Sequence, residues 1–376
     1  MTRRFRKLER LLFVNALLAG LSFTAESQTT DDILNVLTRK NLIRQSEADS
    51  IRSAGKNSQM PVLAGKNIQL SGYTQVRYRS FAQPGKADGF DIRRSRLNLK
   101  GKVSGVWGYR LQIELAGTPK ILDAYAEVKL TDYFKFTVGQ AKIPLSFENL
   151  TSSSKLDLAE WSQVVDALVA RGTDVLENQN GRDLGIQVGG TLIKQESGSL
   201  LDYGLGIFNG GGINAADKND SKDFAARLVV HPITGLDLGA SLYNGRRYVS
   251  EQATGGVTMP SRNVDRDRYG FELVYNYKNL NVAGEYIHGT DDTADREGYY
   301  LKAGYYFVPK KFQLVAKYDF YDPDTDIAGN TSTWYVLGGN YYFTGHVKLQ
   351  LNYTIKEEQG IGIENNLATL QLQVNF

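Results

Sequence analysis

The chain is 376 residues long, with 38 glycines, 22 tyrosines, eight prolines and no cysteine. The lack of cysteine excludes a disulfide, a thiolate nucleophile or a thiolate metal site. A mean hydropathy of −0.34, with no long apolar run past the N-terminus, excludes transmembrane helices but not membrane-spanning strands. The net charge of +3 resides in the first 27 residues, which carry five of the 44 basic and two of the 41 acidic side chains. The remainder holds 39 of each, so nothing in its charge calls for a nucleic-acid partner.

At the N-terminus, Arg3, Arg4, Arg6, Lys7 and Arg10 precede an apolar stretch over 11–23 and a small-x-small site at Ala25-Glu26-Ser27. This pattern predicts a secretory signal peptide over 1–27 and a mature chain from Gln28. In residues 31–54, Ile33, Val36, Leu37, Leu42, Ile43 and Ile51 recur at helical spacing. A Gly/Lys/Ser/Pro-rich stretch follows over 55–66. Residues 28–66 are therefore expected to form a short periplasmic helical segment and linker.

From residue 67 the period becomes two. Ile68, Leu70, Val76 and Tyr78 alternate with Gln69, Ser71, Gln75, Arg77 and Arg79, and the chain ends with Leu370, Leu372, Val374 and Phe376 alternating with Thr369, Gln371, Gln373 and Asn375. Similar segments of about ten residues, the length of a tilted transmembrane strand, start near Phe90, Trp107, Ile121, Phe134, Arg182, Leu200, Lys222, Leu236, Arg266, Leu280, Gly298, Phe312, Ser332 and Val347. Tight links at 131–132, 231–235, 278–279, 309–310 and 344–345 alternate with longer ones at 81–89, 144–181, 211–221, 248–265, 289–297, 322–331 and 358–366. One exception is the short link at 118–120.

This sorting of loops predicts an all-β fold: a transmembrane antiparallel β-barrel of about sixteen strands over 67–376. Alternation alone leaves open which face points inward. The leader, the loop parity and the strand count favour a polar lumen, since about sixteen strands enclose more space than side chains fill. The expected location is the outer membrane of a Gram-negative bacterium, with lipid around the wall. Tyrosines near strand ends suit an interfacial girdle, and the terminal Phe376 resembles the signal read by the barrel-insertion machinery.

Several blocks resemble the phosphate-selective porin O and P family. They are FDIRRSRLNLKG, IELAG, LDAYAEVKL and VGQAKIPLSFE within 90–148, GRDLGIQVGG at 181–190, LDYGLGIFNGGG at 201–212, LGASLYNG at 238–245, AKYDFYDPD at 316–324 and the terminal LQLQVNF. The resemblance covers residues 67–376. It implies sixteen-stranded barrels, usually homotrimers, with anion-favouring lumens and an inward-folded third loop, here at 144–181.

With the polar face turned inward, Arg77, Arg79, Arg94, Arg96, Lys100, Arg110, Lys129 and Lys135 form a basic stripe on the early strands, and Arg227, Arg266, Arg268 and Lys317 add to it later. Such a stripe concentrates anions and offers guanidinium forks to phosphate or carboxylate. Glu114, Asp123, Glu127, Glu272, Glu285 and Asp319 share that face and can pair with it. The third loop, with Lys155, Glu160, Trp161, Asp166 and Arg171, is expected to form a constriction, with helical spacing from Leu156 to Val169. The loop carries more acid than base, which departs from the family's phosphate-binding pattern.

The expected function is passive diffusion of small hydrophilic solutes, leaning to anions. The alternative is a structural or binding barrel plugged by the third loop. The three histidines lie apart, and no nucleophile elbow or P-loop is present, so no enzyme is expected. No cofactor or metal is expected either, although the run Asp322-Pro323-Asp324-Thr325-Asp326 carries Ca²⁺-type ligands.

Overall fold

The computed structural model describes residues 38–39 and 68–376, except 104, 170–180, 196–197, 255–256 and 361. Thr38 and Arg39 are helical. The signal peptide, the rest of the 31–54 segment and the linker lie outside the described residues.

Sixteen antiparallel strands close into one barrel. They are β1 (Ile68–Phe81), β2 (Gly89–Lys102), β3 (Trp107–Glu114), β4 (Lys120–Lys129), β5 (Lys135–Lys142), β6 (Arg182–Gln195), β7 (Gly198–Phe208), β8 (Asp223–Ile233), β9 (Leu236–Val249), β12 (Arg262–Tyr277), β13 (Leu280–Asp291), β14 (Ala294–Val308), β15 (Phe312–Asp322), β16 (Ser332–Tyr342), β17 (Val347–Glu358) and β18 (Leu367–Asn375). Between β9 and β12, β10 (Gln252–Thr254) and β11 (Val257–Met259) pair as a separate hairpin within the predicted 248–265 loop. One predicted long link is short: Asp291 and Ala294 are joined by Asp292 and Thr293 alone, with Asp292 at φ 60°. A left-handed residue of this kind suits a two-residue hairpin turn.

Burial decides the orientation that alternation left open. On β12, Arg266, Arg268, Gly270, Glu272 and Val274 are buried while Tyr269, Phe271 and Leu273 are exposed. On β18, Thr369, Gln371 and Gln373 are buried while Leu372 and Val374 are exposed. The polar face points into the barrel and the apolar face points out, as a lipid-facing wall requires. The tyrosines divide between both faces. Tyr299, Tyr305, Tyr335 and Tyr353 are exposed, but Tyr300 is buried inside and donates to Glu285 at 2.7 Å.

The seam joins β18 to β1, with Tyr73 opposite Asn375. Phe376 continues the ladder, exchanging backbone hydrogen bonds with Gly72 at 2.9 and 3.0 Å. Its ring lies over Gly72, where a Cβ would stand 2.4 Å from the ring and 2.5 Å from the Arg96 carbonyl. Gly72→Ala is expected to cost about 1–3 kcal/mol through this clash. It should lower the temperature at which the compact form unfolds on semi-native gels, whereas Gly345→Ala, with open space around it, should not.

Candidate functional site

The chain between β5 and β6 turns into the lumen. Ile143 and Leu145 begin it, both buried against Phe208, Ala225 and Tyr243 of the wall. Ser146 takes a left-handed φ of 66° and its hydroxyl accepts from Asn149 N at 3.1 Å, capping the helix α1 (Phe147–Leu150). The Asn149 side chain donates to Leu145 O at 3.0 Å. The IPLSFEN motif is thus a buried turn that directs the third loop inward. A 3₁₀ turn at Ser153–Lys155, an irregular stretch with bends at 157–160 and α2 (Gln163–Leu168) follow. The helix is shorter than the 156–169 spacing suggested, because residues 157–160 form bends and only Gln163–Leu168 is helical.

Carboxylates on the wall hold this loop. Glu285 on β13 accepts from Phe147 N and Glu148 N at 2.9 and 2.8 Å, at the N-terminus of α1. Asp319 on β15 accepts from Gln163 N at 3.1 Å, at the N-terminus of α2, and pairs with Lys317 at 2.8 Å. The first amides of a helix have no partner in the helix itself, so an anion there is doubly favoured. Within the loop, Glu148 accepts from Ser162 N at 2.8 Å and Asp157 pairs with Lys302 at 2.8 Å. Lys348, Gln350, Asn340 and Asn352 supply further bonds to the backbone from Leu156 to Ala159. Val164, Val165 and Leu168 pack on Val274, Ala283 and Ile287, completing an apolar core inside the barrel.

The loop tip meets β1 and β2. Glu160 pairs with Arg77 and, at 3.0 Å, with Arg93. Arg77 also donates to Asp91 at 2.7 and 2.8 Å, and Arg79 reaches the same carboxylate at 3.1 Å. Arg94 lies buried with its guanidinium 4.2 Å from the Trp161 ring centroid and donates to Gln75 at 2.8 Å. Arg96 pairs with Glu114 at 2.7 Å and donates to Ser153 at 3.2 Å. Arg93 was not legible as an inward residue. A β-bulge opposite Gln75 and Val76 sets two consecutive residues, Arg93 and Arg94, against the loop.

The remaining basic positions fall into separate groups. Arg110 pairs with Asp123 at 3.2 Å, as does Arg182 at 2.6 Å. Lys135 stands 4.0 Å from Glu127, and Lys129 pairs with Asp132 at the short-turn rim. Lys100 is exposed on the same side. Across the barrel, Arg227 pairs with Glu272, Arg266 lies over the Tyr243 ring, and Arg268 pairs with Asp291 at 2.7 Å and donates to Leu168 O. Arg266, Arg268 and Lys317 face inward but are buried beneath the loop. Lys155 is exposed, Asp166 is half-buried in the first turn of α2, and Arg171 lies outside the described residues. Lys142, Lys302 and Lys348 also face inward, on parities readable from their strands but not assigned. The Asp322–Asp326 run forms successive side-chain turns, Asp324 N donating to Asp322 and Asp326 N to Asp324. Among the described residues, no cluster of three or more metal-type ligands occurs.

A space of about 290 Å³ stays open between the loop and β2–β6. Five basic side chains, Arg96, Arg110, Lys135, Lys142 and Arg182, line it against one carboxylate, Asp123.

The Glu160 latch sets a pH expectation. Burial opposes its ionisation, but Arg93 and Arg77 outweigh burial and hold its pKa below the ordinary 4.5. A depressed carboxylate contributes its stabilisation above the ordinary pKa and loses it as pH falls through the lowered value. Single-channel current noise should therefore stay unchanged from neutral pH to about 5 and rise only below the ordinary value. Glu160→Gln should show the added noise already at neutral pH.

A family model described as phosphate-selective porin O and P matches residues 65–376. An uncharacterized protein of Aquifex aeolicus (strain VF5) is 26% identical over 98% of this chain and 99% of its own length. Among solved structures, an anion-selective porin from Comamonas acidovorans is similar at 16% identity and a TM-score of 0.58, over 83% of this chain and all of that one. OmpF of Salmonella typhi, in complex with daunomycin, is similar at 12% identity and a TM-score of 0.62, over 83% and 98%. The trimer form of OmpT from Vibrio cholerae is similar at 14% identity and a TM-score of 0.59, over 83% and 99%. With a closed sixteen-strand barrel, a polar lumen and a family match over most of its length, this chain belongs to the phosphate-selective porin O and P family and is a porin of the Gram-negative outer membrane.

Proposed function

We propose that this porin passes small hydrophilic solutes by passive diffusion and favours anions, the route running between the third loop and β2–β6. The observation that carries this reading is the lining of that space, five cations to one carboxylate. Glu114 and Glu127 stand nearby, paired with Arg96 and Lys135, and reduce the excess without cancelling it. The acidic excess of the loop does not oppose it, because Glu148, Asp157 and Glu160 are engaged with the loop or the wall. In a narrow aqueous channel a cationic lining raises the local concentration of anions, and weak binding at several points lets them leave. The solved relative named as anion-selective supports the same direction.

The same reading takes Arg110, Lys135 and Lys142 as the solute-facing cations, with the buried Arg96 and Arg182 behind them and Arg77, Arg93 and Arg94 as positioning residues for the loop tip. It assigns no catalytic activity. It takes residues 1–27 as a signal peptide, 28–66 as a periplasmic segment, the assembly as a homotrimer like the OmpT trimer form, and Phe376 as the contact for barrel insertion. Selectivity among anions is expected to be weak, since the loop's basic residues do not build a phosphate cage.

The test is single-channel recording of the refolded chain in planar bilayers under a KCl gradient. An anion-side reversal potential is expected. Arg110→Glu with Lys135→Glu, both at partly exposed lumen positions, should shift the anion-to-cation permeability ratio about fivefold toward cations, the equivalent of about 1 kcal/mol of Coulomb energy. A cation-side reversal potential in the unmodified chain overturns the anion reading. The absence of any conductance supports a barrel plugged by its loop.

A further inference from the structure

Two of the chain's three tryptophans, Trp161 and Trp334, line one cavity in the lumen. The third, Trp107, is half exposed at a strand end, where an interfacial anchor belongs. The cavity encloses about 370 Å³, within the range of about 300–1,000 Å³ seen for small-molecule sites. It lies between the loop tip and β15–β18, toward the long-loop end, and is separate from the basic space against β2–β6.

Its wall combines an apolar surface with two lysines, Lys317 and Lys356, and two carboxylates, Glu160 and Asp166. Leu158 and Val336 are buried together in a small core against which Trp334 packs. Lys356 is the cross-strand partner of Trp334, and its ammonium stands 4.3 Å from the indole ring centroid. Among the described residues that ammonium makes no ion pair or side-chain hydrogen bond. The indole N–H of Trp334 is likewise buried without an acceptor. Of the other charges at the cavity, Glu160 is paired with Arg77 and Arg93 and Lys317 with Asp319.

An inorganic anion gains nothing from the apolar wall, and a neutral sugar leaves the ammonium unused. A ring bearing a carboxylate uses both. We propose that this cavity is a binding subsite for aromatic carboxylates, with the ring against Trp334, Leu158 and Val336 and the carboxylate on Lys356. Its role in transport rests on the porin reading above, but the binding does not. Occupancy would delay such solutes above the loop and enrich them at the mouth of the channel.

The test uses the refolded full chain with two readouts. Intrinsic tryptophan fluorescence in detergent micelles is titrated with benzoate, with acetate and benzyl alcohol as controls. Block of the single-channel current is titrated with the same three solutes. Benzoate is expected to act at about tenfold lower concentration than either control, since each control keeps only one of the two contacts. Lys356→Gln and Trp334→Leu should each raise the benzoate concentration needed by about five- to tenfold, and Lys356→Arg should retain the response. If Trp334→Leu does not fold, the Lys356 variants decide. Equal responses to the three solutes, or variants that respond as the unmodified chain does, overturn the subsite. A fluorescence response without conductance overturns the porin reading and leaves the subsite. Conductance without a benzoate-specific response does the reverse.

Discussion

The structure depends on a constraint of width. Sixteen strands enclose more volume than their inward side chains fill, so a wall of this circumference needs something brought inside to narrow it. The chain does this with the segment between β5 and β6. The inward face of the wall is divided accordingly. From β7 to β14 the loop packs on small or apolar residues such as Ala225, Val274, Ala283 and Ile287, set among charged pairs. From β15 to β18 the wall carries amides and one lysine, Lys348, that bond to the loop backbone. From β2 to β6 it faces the basic open space, and toward the long-loop end β15 to β18 face the second cavity.

That division separates the charge of the chain from the charge of the passage. Residues 28–376 are balanced in charge, yet the lumen acids among them are not distributed like the lumen bases. Glu285 and Asp319 are spent on the N-termini of two short helices, where main-chain amides need an acceptor. The pairs Arg96–Glu114, Arg182–Asp123 and Arg268–Asp291 are almost wholly buried. Desolvating such pairs costs about as much as their attraction returns, so they fix where the wall and loop meet more than they stabilise the barrel. The cations of β3 and β5 that water still reaches then set the field of the channel.

Much of this was legible in the sequence. The period of two located all sixteen strands, most starting within a few residues of their predicted positions, because lipid on one side and water on the other enforce strict alternation. Loop lengths gave the two ends of the barrel. The unreadable parts share a physical cause, which is local departure from that alternation or pairing across the lumen. The bulge beside Arg93 breaks the parity of a single strand. Asp292 closes a turn where a long loop was expected. Alternation also assigns a residue to a face without saying whether the loop covers it, so Arg268 and Arg110 looked alike although one is buried under Leu168 and the other borders water. Trp334 and Lys356 sit 22 positions apart in sequence and become neighbours only through strand register.

The seam between Gly72 and Phe376 has a consequence for assembly. Gln75 and Gln373, which meet across it, are 298 residues apart, so the pairing that closes the wall joins strands of far greater sequence separation than any other pair of neighbours in it. Until the final residues arrive, every partial wall presents two unpaired edges, each a template for mispairing with another chain. The nascent protein must therefore be shielded along its whole length rather than folded in stages. The same adjacency means that which strand comes first in sequence is a matter of history more than of architecture. A chain opened at a short turn and rejoined across the seam would meet the same neighbours in the same register.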